Sequence, residues 1–171
     1  MTVPPTIRPE TPADIEVIRA LTEAAFRNAP HSDQTEAVIV HRLRETGAMT
    51  LSLVAARPDG TILGHVAFSP VSVESGEADW YGLGPISVWP QFQRQGIGTA
   101  LVRDGLRRLE ALGAKGCVLL GDPAFYGRFG FTSDEALTYR GLPAQYVQRL
   151  VMAPPAPKGE LTYHPAFAAA A

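Results

Sequence analysis

The chain has one cysteine, Cys117, in 171 residues, so it has no internal disulfide and cannot build a thiolate zinc site from that residue alone. Such usage suits a reducing compartment, and a cytoplasmic location is the expectation. Charge of one sign is scarce too: fifteen Lys and Arg face seventeen Asp and Glu, a net charge of -2. That balance excludes the broad basic face used on polyanions, and no nucleic-acid partner is expected. No stretch reaches the roughly 20 apolar residues of a spanning helix. The proline-rich start, Met1 to Pro12, has no apolar run and does not read as a secretory signal. No membrane partner is expected. His, Cys, Asp and Glu show no metal-ligand spacing, so no metal is expected.

What is present is ordinary globular material, 46% hydrophobic and 19% charged. The length fits one domain over residues 1–171, with a core of about 6–152 and a C-terminal extension over 153–171. Thr6-Ile7-Arg8 reads as a short strand. Thr11 is placed as N-cap before Pro12, and Ile15, Ile18, Leu21, Ala25 and Phe26 recur at helical spacing. A second helix is predicted from Thr35 to Glu45, stopping near Gly47. Leu51–Ala56 and Ile62–Ser69 flank the turn Arg57-Pro58-Asp59-Gly60 as an antiparallel hairpin. A separate strand is expected at Val71–Glu74 and another ending at Ile86-Ser87-Val88. Helical periodicity returns from Gly98 to Leu112, with Gly113 as its left-handed cap. Cys117–Leu120 is a short apolar run, the pattern of a strand buried on both faces. Strand, helix, strand in that order predicts a parallel pair within a mixed sheet. Strands are also predicted at Gln148–Met152 and Glu160–Tyr163, and Ala168–Ala171 is expected to fray.

The most informative stretch runs from Ile86 to Ala100: a strand, a loop, then a helix start. A helix N-terminus presents about four unpaired N–H donors and roughly half a positive charge, a seat for an anion. Gly96 and Gly98 carry no Cβ to hold a phosphate away, and Arg94 adds charge at the rim. A dinucleotide fingerprint fails because Leu101 stands where its third glycine belongs, and a P-loop fails because Thr99 follows Gly98 in place of Lys. A dinucleotide-dependent oxidoreductase is therefore set aside. A bare glycine pair is often only a tight turn, so the neighbouring sequence decides.

Gln93-Arg94-Gln95-Gly96-Ile97-Gly98 resembles the Q/R-x-x-G-x-G/A motif of the GNAT superfamily of N-acetyltransferases, and Tyr126-Gly127-Arg128-Phe129-Gly130-Phe131 resembles its Y-x-x-x-G-F element. Leu83-Gly84-Pro85-Ile86 and Leu119-Leu120-Gly121-Asp122-Pro123 look like a branch of small bacterial members. Where many members place an Asn before a longer helix, this chain has Asp122 in the shorter Gly121–Phe125. The resemblance implies a mixed, mostly antiparallel central sheet with a splayed parallel strand pair and flanking helices. It also implies acetyl-CoA as co-substrate and direct transfer to an amine, a small molecule or a peptide. Backbone groups of Gln93, Arg94, Gln95, Gly96, Ile97, Gly98 and Thr99 are expected to hold the pyrophosphate, and Ile86, Ser87 and Val88 the pantetheine. A non-catalytic acyl-CoA-binding regulator or sensor is the alternative reading. Edge strands near the C-terminus leave a homodimer open.

Three chemical tasks then need groups. Protonating the leaving thiolate is assigned to Tyr126, against a core role beside Phe125 and Phe129. The oxyanion is assigned to a backbone donor such as the Val88 N–H. For the base, Glu36, His65, Glu74, Glu77 and Asp79 lie in segments open to the acceptor. His65 has the most suitable ordinary pKa, although a lone histidine on a strand is more often structural. Water is the alternative base. Trp80 and Tyr81 are read as core or acceptor-pocket aromatics, and Cys117 as a packing residue.

Overall fold

The computed structural model describes residues 3–168; of the tail expected to fray, Ala168 ends a 3-10 helix over Pro165–Ala168, and 169–171 lie outside the described residues. The chain forms two compact units, one from 3–68, 84–105 and 165–168, the other from 69–83 and 106–164. The architecture is α/β; the described residues form a mostly antiparallel sheet with two parallel strand pairings, together with four α-helices.

In the first unit, β1 (Thr6–Pro9) pairs antiparallel with β2 (Leu51–Ala56), which pairs with β3 (Ile62–Val73) through Leu51–Phe68 to Ala56–Ile62. A 3-10 turn at Pro12–Asp14 leads into α1 (Ile15–Phe26). The Thr11 N–H donates to Asp14 at 2.7 Å, and Arg8 grips the same carboxylate at 2.7 and 3.2 Å. The Arg8 hydrogen bond holds the Asp14 carboxyl down to about 2. α1 and α2 (Glu36–Glu45) bury Ile18, Leu21 and Val40 against Val54, Ala56 and Ile62. The first turns of α3 (Ile97–Ala111) lie over β3. There Phe68 occupies the space a Cβ on Gly105 would need, which explains a glycine inside a helix where Ala is ordinarily better by about 1 kcal/mol.

The second unit is built on β5 (Gly116–Leu120). It pairs antiparallel with β8 (Val147–Val151) and parallel with the start of β4 (Trp80–Val88). The parallel register covers only Trp80–Gly82 against Gly116–Val118. β8 also carries the two-residue β6 (Thr132–Ser133), while β9 (Gly159–Tyr163) pairs with the end of β3 and with β7 (Leu137–Thr138). Val73, Trp80, Val118, Leu137, Val147 and Leu161 form the core of this unit.

One expectation changes, and several short elements carried no signal. The strands predicted separately at Ile62–Ser69 and Val71–Glu74 are one strand, β3. Pro70, which cannot donate to a ladder, stands at the change of partner: residues up to Phe68 pair with β2 and Val71–Val73 pair with β9. The short α4 (Pro123–Tyr126), a following 3-10 turn and the small strands β6 and β7 had no periodic signal long enough to read.

Candidate active site

All ten residues expected to hold a cofactor lie in the first unit. The end of β4 is fixed by Trp89, whose backbone N–H donates to Leu63 O at 3.1 Å and whose indole N–H donates to Ile62 O at 3.0 Å. Because N–H directions alternate along a strand, the Val88 N–H and C=O point to the opposite edge from Trp89 N–H. The Val88 carbonyl accepts from Gln93 Nε2 at 3.1 Å, tying the loop to the strand end. Ser87 is buried, and its hydroxyl has no hydrogen-bond partner within the described chain.

A 3-10 turn at Pro90–Phe92 follows, with the Arg57 guanidinium 4.6 Å over the Phe92 ring. Arg94 and Gly96 then take left-handed conformations, φ 62° and 84°, the kind of winding that turns successive N–H groups into an anion-binding concavity. Nothing lies within 4 Å of where a Gly96 Cβ would stand. Gln93, Arg94, Gln95 and Gly96 are exposed, whereas Ile97 is buried and anchors the helix start. The first bond of the helix ladder runs from Ala100 N–H to Gly96 O at 3.0 Å. The N–H groups of Ile97, Gly98 and Thr99 thus stand ahead of that ladder, facing the N-terminal end. A cavity of about 630 Å³ opens beside the loop, lined by Gln95, Gly96 and Ile97 with Arg57 and Asp59.

His65 is also in the first unit, fully buried on β3. Its Nε2 lies 2.8 Å from Ser52 Oγ, Ser52 bonds Glu10, and Arg44 closes the group with bonds of 2.8 and 2.9 Å to the Glu10 carboxylate. A carboxylate only accepts, so Ser52 donates to Glu10 and His65 must donate its Nε2–H to Ser52. Nδ1 is left as an unprotonated acceptor with no partner. Burial pushes the imidazole down to about 4, against the attraction of Glu10. Burial alone would raise the Glu10 carboxyl, but the hydrogen bonds from Arg44 and Ser52 outweigh it and hold the group below its ordinary range. His65 therefore has no face on which to meet a substrate, contrary to its selection as a candidate base. The missed signal was its partners: Ser52 lies on β2 and Glu10 just past the end of β1, neither of them next to it in sequence.

Tyr126 lies in the second unit, at the end of α4. Asp122, the residue that departs from the family pattern, is the N-cap of α4 and accepts from Ala124 N–H at 2.9 Å. Gly121 has no Cβ because Tyr126 Cε2 would stand 2.6 Å from it. Phe125 and Phe131 meet the phenol ring edge-on at centroid distances of 4.8 and 6.2 Å. Burial, with the Cys117 thiol nearby, pushes the phenol up to about 12. It is thus a neutral donor at physiological pH. Burial also pushes the Cys117 thiol up, so it carries no thiolate.

The carboxylates considered beside His65 have local duties. Glu36 accepts from Ser32 at 2.8 Å, Glu74 accepts from Glu160 N–H at 2.8 Å, and Glu77 bonds Ser75. Asp79 holds a left-handed turn at φ 64°. Trp80 is core, 1% exposed. Among the described residues no helix is long and apolar enough to cross a membrane.

Comparison with known proteins shows the family and the fold. The profile of the Acetyltransferase (GNAT) family matches residues 16–131. The protein called uncharacterized N-acetyltransferase YhbS from Escherichia coli (strain K12) is 43% identical over 125 residues, 73% of this chain and 72% of that one. The crystal structure of a GNAT family acetyltransferase from Brucella melitensis, in complex with acetyl-CoA, is 49% identical, covering 95% of this chain and 97% of that one, with a TM-score of 0.84. Escherichia coli YhbS in complex with CoA superimposes with a TM-score of 0.86 at 36% identity, covering 98% of this chain and 94% of that one. This chain belongs to the GNAT family of acetyltransferases.

Proposed function

We propose that the chain, as one catalytic domain of the cytoplasm, transfers the acetyl group of acetyl-CoA directly to the nitrogen of an amine. The observation that carries this reading is the loop from Gln93 to Thr99. It has two left-handed residues, open space at Gly96 and helix amides ahead of their ladder. Those amides, with the Arg94 guanidinium at the rim, suit a diphosphate. The outer edge of β4 at Ile86 and Val88 suits the amides of pantetheine, and the unpartnered Ser87 hydroxyl is a buried polar group that a ligand would satisfy.

In the reaction the amine lone pair forms the C–N bond and the C–S bond breaks. The Val88 N–H is the donor for the oxyanion, and Tyr126 is the donor for the departing sulfur. A phenol at about 12 is a weaker acid than an ordinary thiol at about 8.5, so complete transfer would be uphill by roughly 5 kcal/mol. Tyr126 therefore acts as a hydrogen-bond donor while charge gathers on sulfur, and the thiolate takes its final proton from solvent. With His65 enclosed, Glu36 engaged by Ser32 and Glu74 by the Glu160 N–H, water removes the proton from the attacking ammonium.

The test pairs calorimetry with coenzyme A and thiol release from acetyl-CoA in the presence of spermidine, kanamycin, L-lysine and a peptide with a free N-terminus. Binding with thiol release from at least one amine is the expected result. Binding without release from any amine would favour a sensor, and absence of binding would overturn the reading of the loop.

A further inference from the structure

The cavity beside the cofactor loop, about 630 Å³, falls in the range that encloses a drug-sized ligand, more than a diphosphate alone fills. Its far wall has no duty in the assignments above. That wall comes from the β2–β3 turn and the start of the chain. The Arg57 backbone N–H donates to Thr61 O and the Gly60 N–H to Arg57 O, both at 2.9 Å, so the turn is closed on itself. Thr6 is the registered partner of Ala56, which brings Pro5 alongside Arg57. The bond from Trp89 N–H to Leu63 O sets this turn at the same end of the sheet as the loop after β4. Gly64 lets the start of α3 settle onto β3: a Cβ there would stand 3.2 Å from both Ile97 Cγ2 and Leu101 Cδ1. Gln95, Gly96 and Ile97 thus line the same hollow as Arg57.

The lining has two characters. Pro4, Pro5, Pro58, Leu63 and Ala100 are apolar, and the ring-locked prolines lose little freedom on packing against a flat heterocycle. Arg57 is the one cation among the lining residues. Its guanidinium stands 4.6 Å over the Phe92 ring; that contact uses a face, while the five N–H donors lie in the plane. Within the described chain none of those donors is spent on a hydrogen bond. Asp59, the one carboxylate of the lining, accepts from the Thr61 N–H at 2.9 Å and forms no ion pair with Arg57, although it feels that charge.

We infer that this cavity seats the 3′-phosphoadenosine end of coenzyme A, with Arg57 binding the 3′-phosphate. This rests on the reading of the Gln93–Thr99 loop as the diphosphate seat. The diphosphate and the 3′-phosphate hang from one ribose, so a diphosphate on the loop amides leaves the purine and the second phosphate within reach of the adjoining cavity. A phosphate monoester carries a charge of about −1.5 to −2 and three acceptor oxygens, which match the guanidinium fork. Arg57 therefore selects coenzyme A over its dephospho form, and the apolar walls take the purine.

The experiment is calorimetry with coenzyme A and with dephospho-coenzyme A, which lacks only the 3′-phosphate, on the unaltered protein, Arg57→Gln, Arg57→Lys and Arg94→Gln. The unaltered protein is expected to bind coenzyme A about tenfold more tightly than the dephospho form. Arg57→Gln is expected to bring the two Kd values within twofold by weakening coenzyme A alone, and Arg57→Lys to keep part of the preference. Arg94→Gln is expected to weaken both ligands and keep their ratio. An unaltered protein without the preference overturns the inference, as does a preference that survives Arg57→Gln or disappears in Arg94→Gln instead. Equal weakening of both ligands in Arg57→Gln overturns it too, since that marks Arg57 as a support of the loop through Phe92. Failure of the reading it rests on shows differently, as no binding of either ligand by the unaltered protein, and removes the inference as well.

Discussion

The buried histidine makes stability depend on pH in a window where few other groups titrate. His65 has an ordinary pKa near 6.5 when the chain is unfolded and one of about 4 when folded. Between those values the unfolded chain binds a proton that the folded one refuses, so stability is fully present above pH 6.5 and is lost as pH falls toward 4. Working the linkage through, the loss is about 1.4 kcal/mol at pH 5.5 and roughly 2.5 kcal/mol by pH 4.5. For a domain of this size the second figure corresponds to a Tm lower by about 5–10 °C. The assay is urea or thermal unfolding at pH 8, 6.5, 5.5 and 4.5, run beside His65→Gln, which keeps a side-chain N–H for Ser52 but cannot titrate. The unaltered protein is expected to lose stability more steeply than the variant across this window. Equal slopes, or a protein that gains stability relative to the variant as pH falls, would rule out a depressed pKa at His65. The second result would mean that His65 is protonated in the native state and paired with Glu10, 3.9 Å away.

Further consequences are open to direct measurement. Asp14 behaves in the opposite pH range: its carboxyl is held at about 2, so the stability from the Arg8 pair is present above about pH 3.8 and lost as pH falls through 2. Arg8 is partly exposed, so Asp14→Asn is expected to cost about 1–2 kcal/mol in urea unfolding at pH 7. Gly96→Ala forces a side chain into φ 84° and should weaken coenzyme A binding about tenfold by calorimetry, with the fold intact by circular dichroism. Gly105→Ala should destabilise by about 1–3 kcal/mol despite the better helix propensity of Ala, because Phe68 fills the space; Phe68→Leu in the same chain should recover part of the loss. Tyr126→Phe should lower kcat about tenfold or more, and an unchanged rate at every pH would remove Tyr126 from the reaction.

The legible parts of this chain were those with local causes. Thr11 and Pro12 announce the 3-10 turn that leads into α1, whose own N-cap is Asp14; Gly113 closes α3 at φ 88°, and the apolar run at Cys117 reads as the buried strand β5. The loop at Gln93–Gly98 was legible because its chemistry lies in consecutive amides and two glycines. His65 was not, because its character is set by Glu10, Ser52 and Arg44, which come from three other elements. The packing of Tyr163 escaped for the same reason: its ring lies over Gly82, and 81 positions of chain separate them. Pro70 misled in the other direction, since a residue that normally breaks a strand sits harmlessly where β3 exchanges neighbours.

Strand β9 has a consequence for biosynthesis. Gly159–Tyr163 emerges from the ribosome some ninety residues after Val71–Val73, whose hydrogen bonding it completes. A nascent chain paused short of Gly159 therefore presents a bare β-edge and an uncovered Trp80 until β9 is made.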